Sequence, residues 1–260
     1  MLLPVFLFSV PLLTGLAGPD GIYCVEGGIF VCEETAGRVI HVAPDGVLTV
    51  IAEGLSSPEG IHVTVDGRVL VVEDTASGRL LEIDNGNVVT LAGDLCYPEG
   101  VTVDEHGTIW FSTGGIEGGD LFTTLWKIHD SVHEKVFSLP STFSFSDLEA
   151  ANDGLIYICS ESSGIFGNVA VFVFDPATSE LEPFVTGVVA CEGIGMTGGA
   201  FPMFITGENG SVHRVDPTGK HVLIEGNLST VEDVAVFNDS IYITEDGTGS
   251  LLVIGTGINE

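Results

Sequence analysis

Residues 58–91 read PEGIHVTVDGRVLVVEDTASGRLLEIDNGNVVTL, and this stretch decides the fold. Pro58-Glu59-Gly60 leads into the alternating run Ile61 to Val65, and Asp66-Gly67 supplies a hairpin turn. Val69 to Val72 forms a second strand, Glu73-Asp74-Thr75-Ala76 a loop, and Arg79 to Ile83 a third strand. Asp84-Asn85-Gly86 then turns into Val88 to Leu91. Four short strands in about forty residues are one blade of a repeat protein.

The same unit recurs along the chain. Its opening turn carries an acid at Asp20, Glu59, Glu99, Glu149, Glu192 and Glu232, at intervals of 39, 40, 50, 43 and 40 residues. The 28 residues after Glu232 and the first 20 of the chain make a sixth period of 48. The expectation is an all-β protein, a six-bladed β-propeller of four-stranded antiparallel blades in one domain, residues 1–260. Its last blade takes Val234 to Phe237, Ile241 to Thr244 and Leu251 to Ile254 from the C-terminus, and Val5 to Val10 from the N-terminus. Closure removes the open edges of a linear array. A β-sandwich is the rival for evenly spaced strands, but it does not require a repeat that closes on itself. Blade four matches least, with Asp147-Leu148-Glu149-Ala150 where the other units have a glycine turn.

Seven Lys and Arg against 37 Asp and Glu give a formal charge of −30, which repels a phosphate backbone and excludes nucleic acid as a partner. The apolar start, Met1 to Gly18, has no basic n-region and is interrupted by Pro4 and Pro11. It is too short for a membrane span, so no membrane partner is expected. Residues 13–21 align with residues 52–60, which favours a strand of the fold, with a cleaved leader as the alternative. Of the five cysteines, Cys24 and Cys32 are out of register for a disulfide if the hairpin turns at Glu26-Gly27, because Cys24 then faces Ile29. Cys159 sits in an apolar run and reads as a small buried hydrophobe. A reduced cytoplasmic monomer is the expectation, and secretion the minority reading.

In a propeller, the loops between blades and those between second and third strands open on one face. Here both sets are acidic: the six turn acids, and Glu33, Glu34, Glu73, Asp74, Glu161, Glu208, Glu245 and Asp246. Crowded carboxylates either stay partly protonated or hold cations, or else their side chains merely tie neighbouring backbone N–H groups. Oxygen-only ligands favour a hard ion, Ca²⁺ before Mg²⁺, with Asp20, Glu59, Glu99, Glu149, Glu192 and Glu232 as candidate metal ligands. No spaced His or Cys set points to zinc. His62 is the histidine nearest this face and a candidate base, against the commoner reading of a packed histidine. The segments Gly114 to Asp120 and Leu139 to Ser146, with Ile165-Phe166, could line an apolar wall for a small-molecule substrate, or pack as idle loops.

Pro58-Glu59-Gly60-Ile61 with Asp66-Gly67, and Pro98-Glu99-Gly100-Val101 with Trp110-Phe111-Ser112-Thr113, resemble the SMP-30/gluconolactonase/strictosidine-synthase-like propellers. The second motif is also similar to streptogramin lyases, which have seven blades rather than six. The resemblance implies a divalent cation, usually Ca²⁺, held at the channel mouth by residues opening the first, third, fourth and fifth blades: Asp20, Glu99, Glu149 and Glu192. Glu192 matches the family's candidate base or nucleophile. Carboxylates stand here where the family mixes carboxylates with amides. The function implied is a metal-dependent lactonase or esterase. A metal-free enzyme moving protons through a channel Glu, and a non-catalytic cation- or ligand-binding propeller, are the alternatives.

Overall fold

The computed structural model describes residues 9–117, 120–140, 144–161, 168–196 and 199–255. These form six four-stranded antiparallel sheets. Blade one is Pro19–Val25, Gly28–Glu33, Arg38–Val42 and Leu48–Glu53; blade two is Pro58–Val63, Val69–Glu73, Gly78–Asp84 and Asn87–Leu95. Blade three is Val101–Val103, Ile109–Glu117, Asp120–His129 and Val132–Pro140; blade four is Leu148–Ala150, Ile156–Cys159, Val169–Asp175 and Glu180–Thr186. Blade five is Cys191–Met196, Met203–Gly207, Ser211–Val215 and His221–Glu225. Blade six is Val231–Phe237, Ser240–Glu245 and Ser250–Gly255, completed by Val10–Thr14 from the other end of the chain. The first strands pack side by side round a closed ring, blade six against blade one. The molecule is a six-bladed β-propeller. No helix among the described residues is long and apolar enough to cross a membrane.

Burial follows this geometry. Each apolar cluster lies between two neighbouring blades: Cys32, Val39 and Ala52 of blade one meet Ile61, Val69 and Val71 of blade two, and Ala235 and Leu251 of blade six meet Ile22 and Val31 of blade one. A strand with both faces covered must be apolar on both, which is why Val69 to Val72 is continuous rather than alternating. The outermost strands are the most exposed to solvent, as Leu48, Val50, Val88 and Val89 show.

The closing strand departs from expectation in position. It runs from Val10, opposite Val253, to Thr14, opposite Ser250, rather than over Val5 to Val10, whose residues 5–8 lie outside the described set. The reason is reach: the strand hands over at Gly15 to blade one, and Leu16 N–H donates to Gly249 O at 3.0 Å, so pairing is pinned to this end. Pro11 is accommodated where the register shifts on an edge strand.

Only part of the candidate apolar wall lies among the described residues. The segment 114–117 continues a long hairpin strand. Phe145 is 1% exposed and packs on Phe137 and Phe172 in the core between blades three and four. Gly118, Gly119, Phe143, Ile165 and Phe166 lie outside the described residues.

Candidate functional site

The first strands share one register. Ile22, Ile61, Val101, Leu148, Ile194 and Val234 each sit opposite a buried residue of the second strand: Val31, Val71, Phe111, Ile158, Ile205 and Ile243. Two residues before each anchor stand Asp20, Glu59, Glu99, Ser146, Glu192 and Glu232. All six residues line one small pocket at the channel mouth, about 20 Å³ in volume. The intervening glycines let the strands approach: a Cβ on Gly60 would lie 2.2 Å from Glu99 O, to which the Gly60 N–H donates at 2.9 Å.

Blade four therefore differs from the sequence expectation. Ser146 holds the ring position assigned to Glu149, and its hydroxyl is turned away, donating to Cys191 O at 2.6 Å. Glu149 lies three residues further down the strand, in a deeper chamber lined by Tyr23, Asp147 and Asp233, with Thr102 Oγ1 donating to it at 3.4 Å. The sequence signal for this is Leu148, which matches the anchors Ile61 and Val101 and so places Ser146, two residues earlier, in the ring.

Asp147 and Asp233, missed by the sequence reading, take the glycine position beneath the ring. Asp147 Oδ2 accepts the N–H of Ile194 at 3.0 Å and Oδ1 that of Leu148 at 2.8 Å. Asp233 makes the matching bonds to Ile22 and Val234. Each carboxylate ties its own blade to the next.

The second set of acids divides in two. Glu33, Glu73 and Glu245 turn into the fold, accepting the N–H of Ala17 (2.7 Å), Ser56 (2.8 Å) and Ser229 (2.6 Å), and Arg38 and Arg79 pair with Glu33 and Glu73. Their role is structural. Glu34, Asp74, Glu161, Glu208 and Asp246 instead raise the pKa values of the ring acids through repulsion.

No ring carboxylate has a Lys, Arg or His partner among the ion pairs of the described residues. Burial, reinforced by neighbouring carboxylates, raises Asp20, Glu59 and Glu99 well above the carboxylate range, Glu192 to about 11 and Glu232 to about 7. Below them burial holds Asp147 at about 7 and Glu149 at about 8. Glu99 Oε2, Glu192 Oε1 and Asp74 Oδ1 are buried without any hydrogen-bond partner. His62 is not part of this mouth: it is 7% exposed, its ring centroid lies 4.6 Å from that of Tyr23 with the planes tilted by 54°, and burial lowers its pKa to about 4.

The donor set at the mouth is all oxygen, two of its carboxylate oxygens are orphaned, and the pocket is the size of one ion or water. No three His, Cys, Asp or Glu side chains among the described residues stand in ligating geometry.

No family model and no curated protein matches the sequence. Solved structures do match in three dimensions. A gluconolactonase from Xanthomonas campestris superposes with a TM-score of 0.80 at 16% identity, covering 97% of this chain and 90% of that one. This is the gluconolactonase-like propeller fold. Regucalcin from Agrobacterium tumefaciens, described as a calcium-binding protein, gives a TM-score of 0.71 at 16% identity over 94% of this chain and 91% of its own. Virginiamycin B lyase from Staphylococcus aureus gives 0.65 at 15% identity, over 95% of this chain and 98% of its own. These likenesses concern the gluconolactonase-like fold and leave the chemistry to the residues of the mouth.

Proposed function

We propose that this gluconolactonase-like propeller hydrolyses small lactones or esters with the help of a divalent cation, Ca²⁺ first among the candidates. The observation that carries the reading is that Glu192 Oε1 and Glu99 Oε2, which line the same pocket, are both buried and unpartnered in a ring without a counter-cation. Asp20, Glu59, Glu99, Glu192 and Glu232 would hold the ion. When bound, the ion supplies positive charge that polarises a substrate carbonyl. Glu192 would take a proton from the attacking water at its free Oε1. Without a nearby positive charge its pKa of about 11 leaves it protonated, so the base and the ion-binding site must act together. Ser146, uncharged and turned toward Cys191, leaves one side of the ring without a carboxylate, where a neutral carbonyl could approach.

Glu232 and Glu149, at about 7 and 8, support a second reading: a metal-free enzyme in which a channel carboxyl moves protons on an amine substrate. Turnover of a panel of lactones, esters and amines, with chelator and after Ca²⁺ is restored, separates the two. Chelator-sensitive lactone or ester hydrolysis supports the first reading. Chelator-insensitive turnover removes it, and no turnover on any class leaves a binding module.

A further inference from the structure

Cys159 ends the second strand of blade four and Cys191 begins the first strand of blade five. Both are fully buried, in the same apolar cluster between the two blades. Their sulfurs stand 2.9 Å apart. That is inside the roughly 3.5–4.0 Å at which even carbon atoms, smaller than sulfur, come to rest. One thiol donates to the other at this distance, which is longer than the bond of about 2.05 Å that two cysteines make when oxidised but leaves the sulfurs adjacent for its formation.

We propose that Cys159 and Cys191 form a disulfide that staples blade four to blade five beneath the channel mouth. The pair is placed where a covalent tie acts on the ring. Cys191 adjoins Glu192, and its carbonyl accepts the Ser146 hydroxyl at 2.6 Å. The Cys159 N–H donates to Asp147 O at 2.7 Å. The staple therefore fixes the Ser146-Asp147 segment against the strand that carries Glu192. All five cysteines are free thiols in the structure, and Cys159 and Cys191 are the two whose sulfurs meet, at a hydrogen-bonding rather than a bonded distance, while the hairpin register sets Cys24 opposite Ile29.

The oxidant is a small-molecule or protein disulfide. One cysteine, as thiolate, attacks it and expels one thiol, leaving a mixed disulfide. The second cysteine attacks the mixed disulfide and expels the other thiol. Two cysteine thiols are oxidised and one external disulfide is reduced to two thiols. Since neither sulfur reaches solvent in the closed propeller, the exchange takes place before blades four and five dock.

The test folds the full chain in a glutathione redox buffer, denatures it without reductant, alkylates with N-ethylmaleimide and digests it for mass spectrometry. Three of the five cysteines, Cys24, Cys32 and Cys96, are expected to be alkylated, with all five alkylated only after reduction. A cross-linked peptide should join Cys159 to Cys191. Replacing Cys159 by Ala should free Cys191 for alkylation, which is read in denaturant and so does not depend on the variant folding. Alkylation of all five without reduction, or a bridge between any other pair, overturns the proposal.

Discussion

Asp233 Oδ2 accepts the backbone N–H of Ile22 at 2.8 Å, so a side chain joins the last blade to the first where the ring of inner strands closes. Its other oxygen accepts Val234 N–H at 2.6 Å, and both oxygens are therefore acceptors. Asp233→Asn turns one of them into a donor facing an N–H. The expected loss is about 1–3 kcal/mol of stability, the cost of a buried donor left unpaired. Urea denaturation measures it, and an unchanged midpoint would remove the closing role of this carboxylate.

The raised carboxyls make stability depend on pH with a definite sign. Glu232 and Asp147 at about 7, Glu149 at about 8 and Glu192 at about 11 bind protons in the folded state that the unfolded chain, at roughly 4, has released. Their contribution is complete below the unfolded value and is lost as pH rises through the folded ones. His62 and His213, lowered to about 4, act the opposite way, but only below about 6.5. In chelator, Tm should fall between pH 6.5 and 8.5. A Tm that rises over that interval contradicts the protonated ring.

A cation bound at the mouth relieves the same repulsion. Added Ca²⁺ should raise Tm, by an amount equivalent to about 2.7 kcal/mol at one hundred times its Kd, and more visibly at pH 8 than at pH 6.5. Matched ionic strength in monovalent salt is the control, since screening of the −30 chain stabilises without any site. Equal melting in EDTA and in millimolar Ca²⁺ would end the metal reading.

Glu192→Gln keeps shape and removes the base. It should lower kcat by about 10²–10⁴ and also weaken the Ca²⁺ response. Glu99→Gln should weaken the response with a smaller effect on kcat. Glu149→Gln, in the deeper chamber, should leave the Ca²⁺ response intact, whereas a loss there would return Glu149 to the ring.

Removing the chain through Thr14 leaves Ser250–Gly255 as an unpaired edge on blade six. Aggregation or a broadened melt is expected, read by light scattering and calorimetry. A soluble truncation with an unchanged melt would show that the terminal strand does not hold the ring.

The six periods, the four strands per blade and the acidic face were legible in the sequence because they rest on local rules. Asp66-Gly67 can only turn, Val69 to Val72 can only be a strand buried on both faces, and the pairing of Cys24 with Ile29 follows from where the hairpin bends. What depended on the meeting of blades was not legible. Ser146 replaced Glu149 because place in the ring is set by the anchor opposite Ile158, not by the presence of an acid. Glu33 and Glu73 turned inward to satisfy backbone groups sixteen and seventeen residues away, while Glu34 and Asp74 beside them faced the mouth. Cys159 and Cys191 were brought together across 32 residues. Local pattern fixes strands and turns, but which side chains converge on the channel is decided by inter-blade register, a relation between residues that no local period encodes.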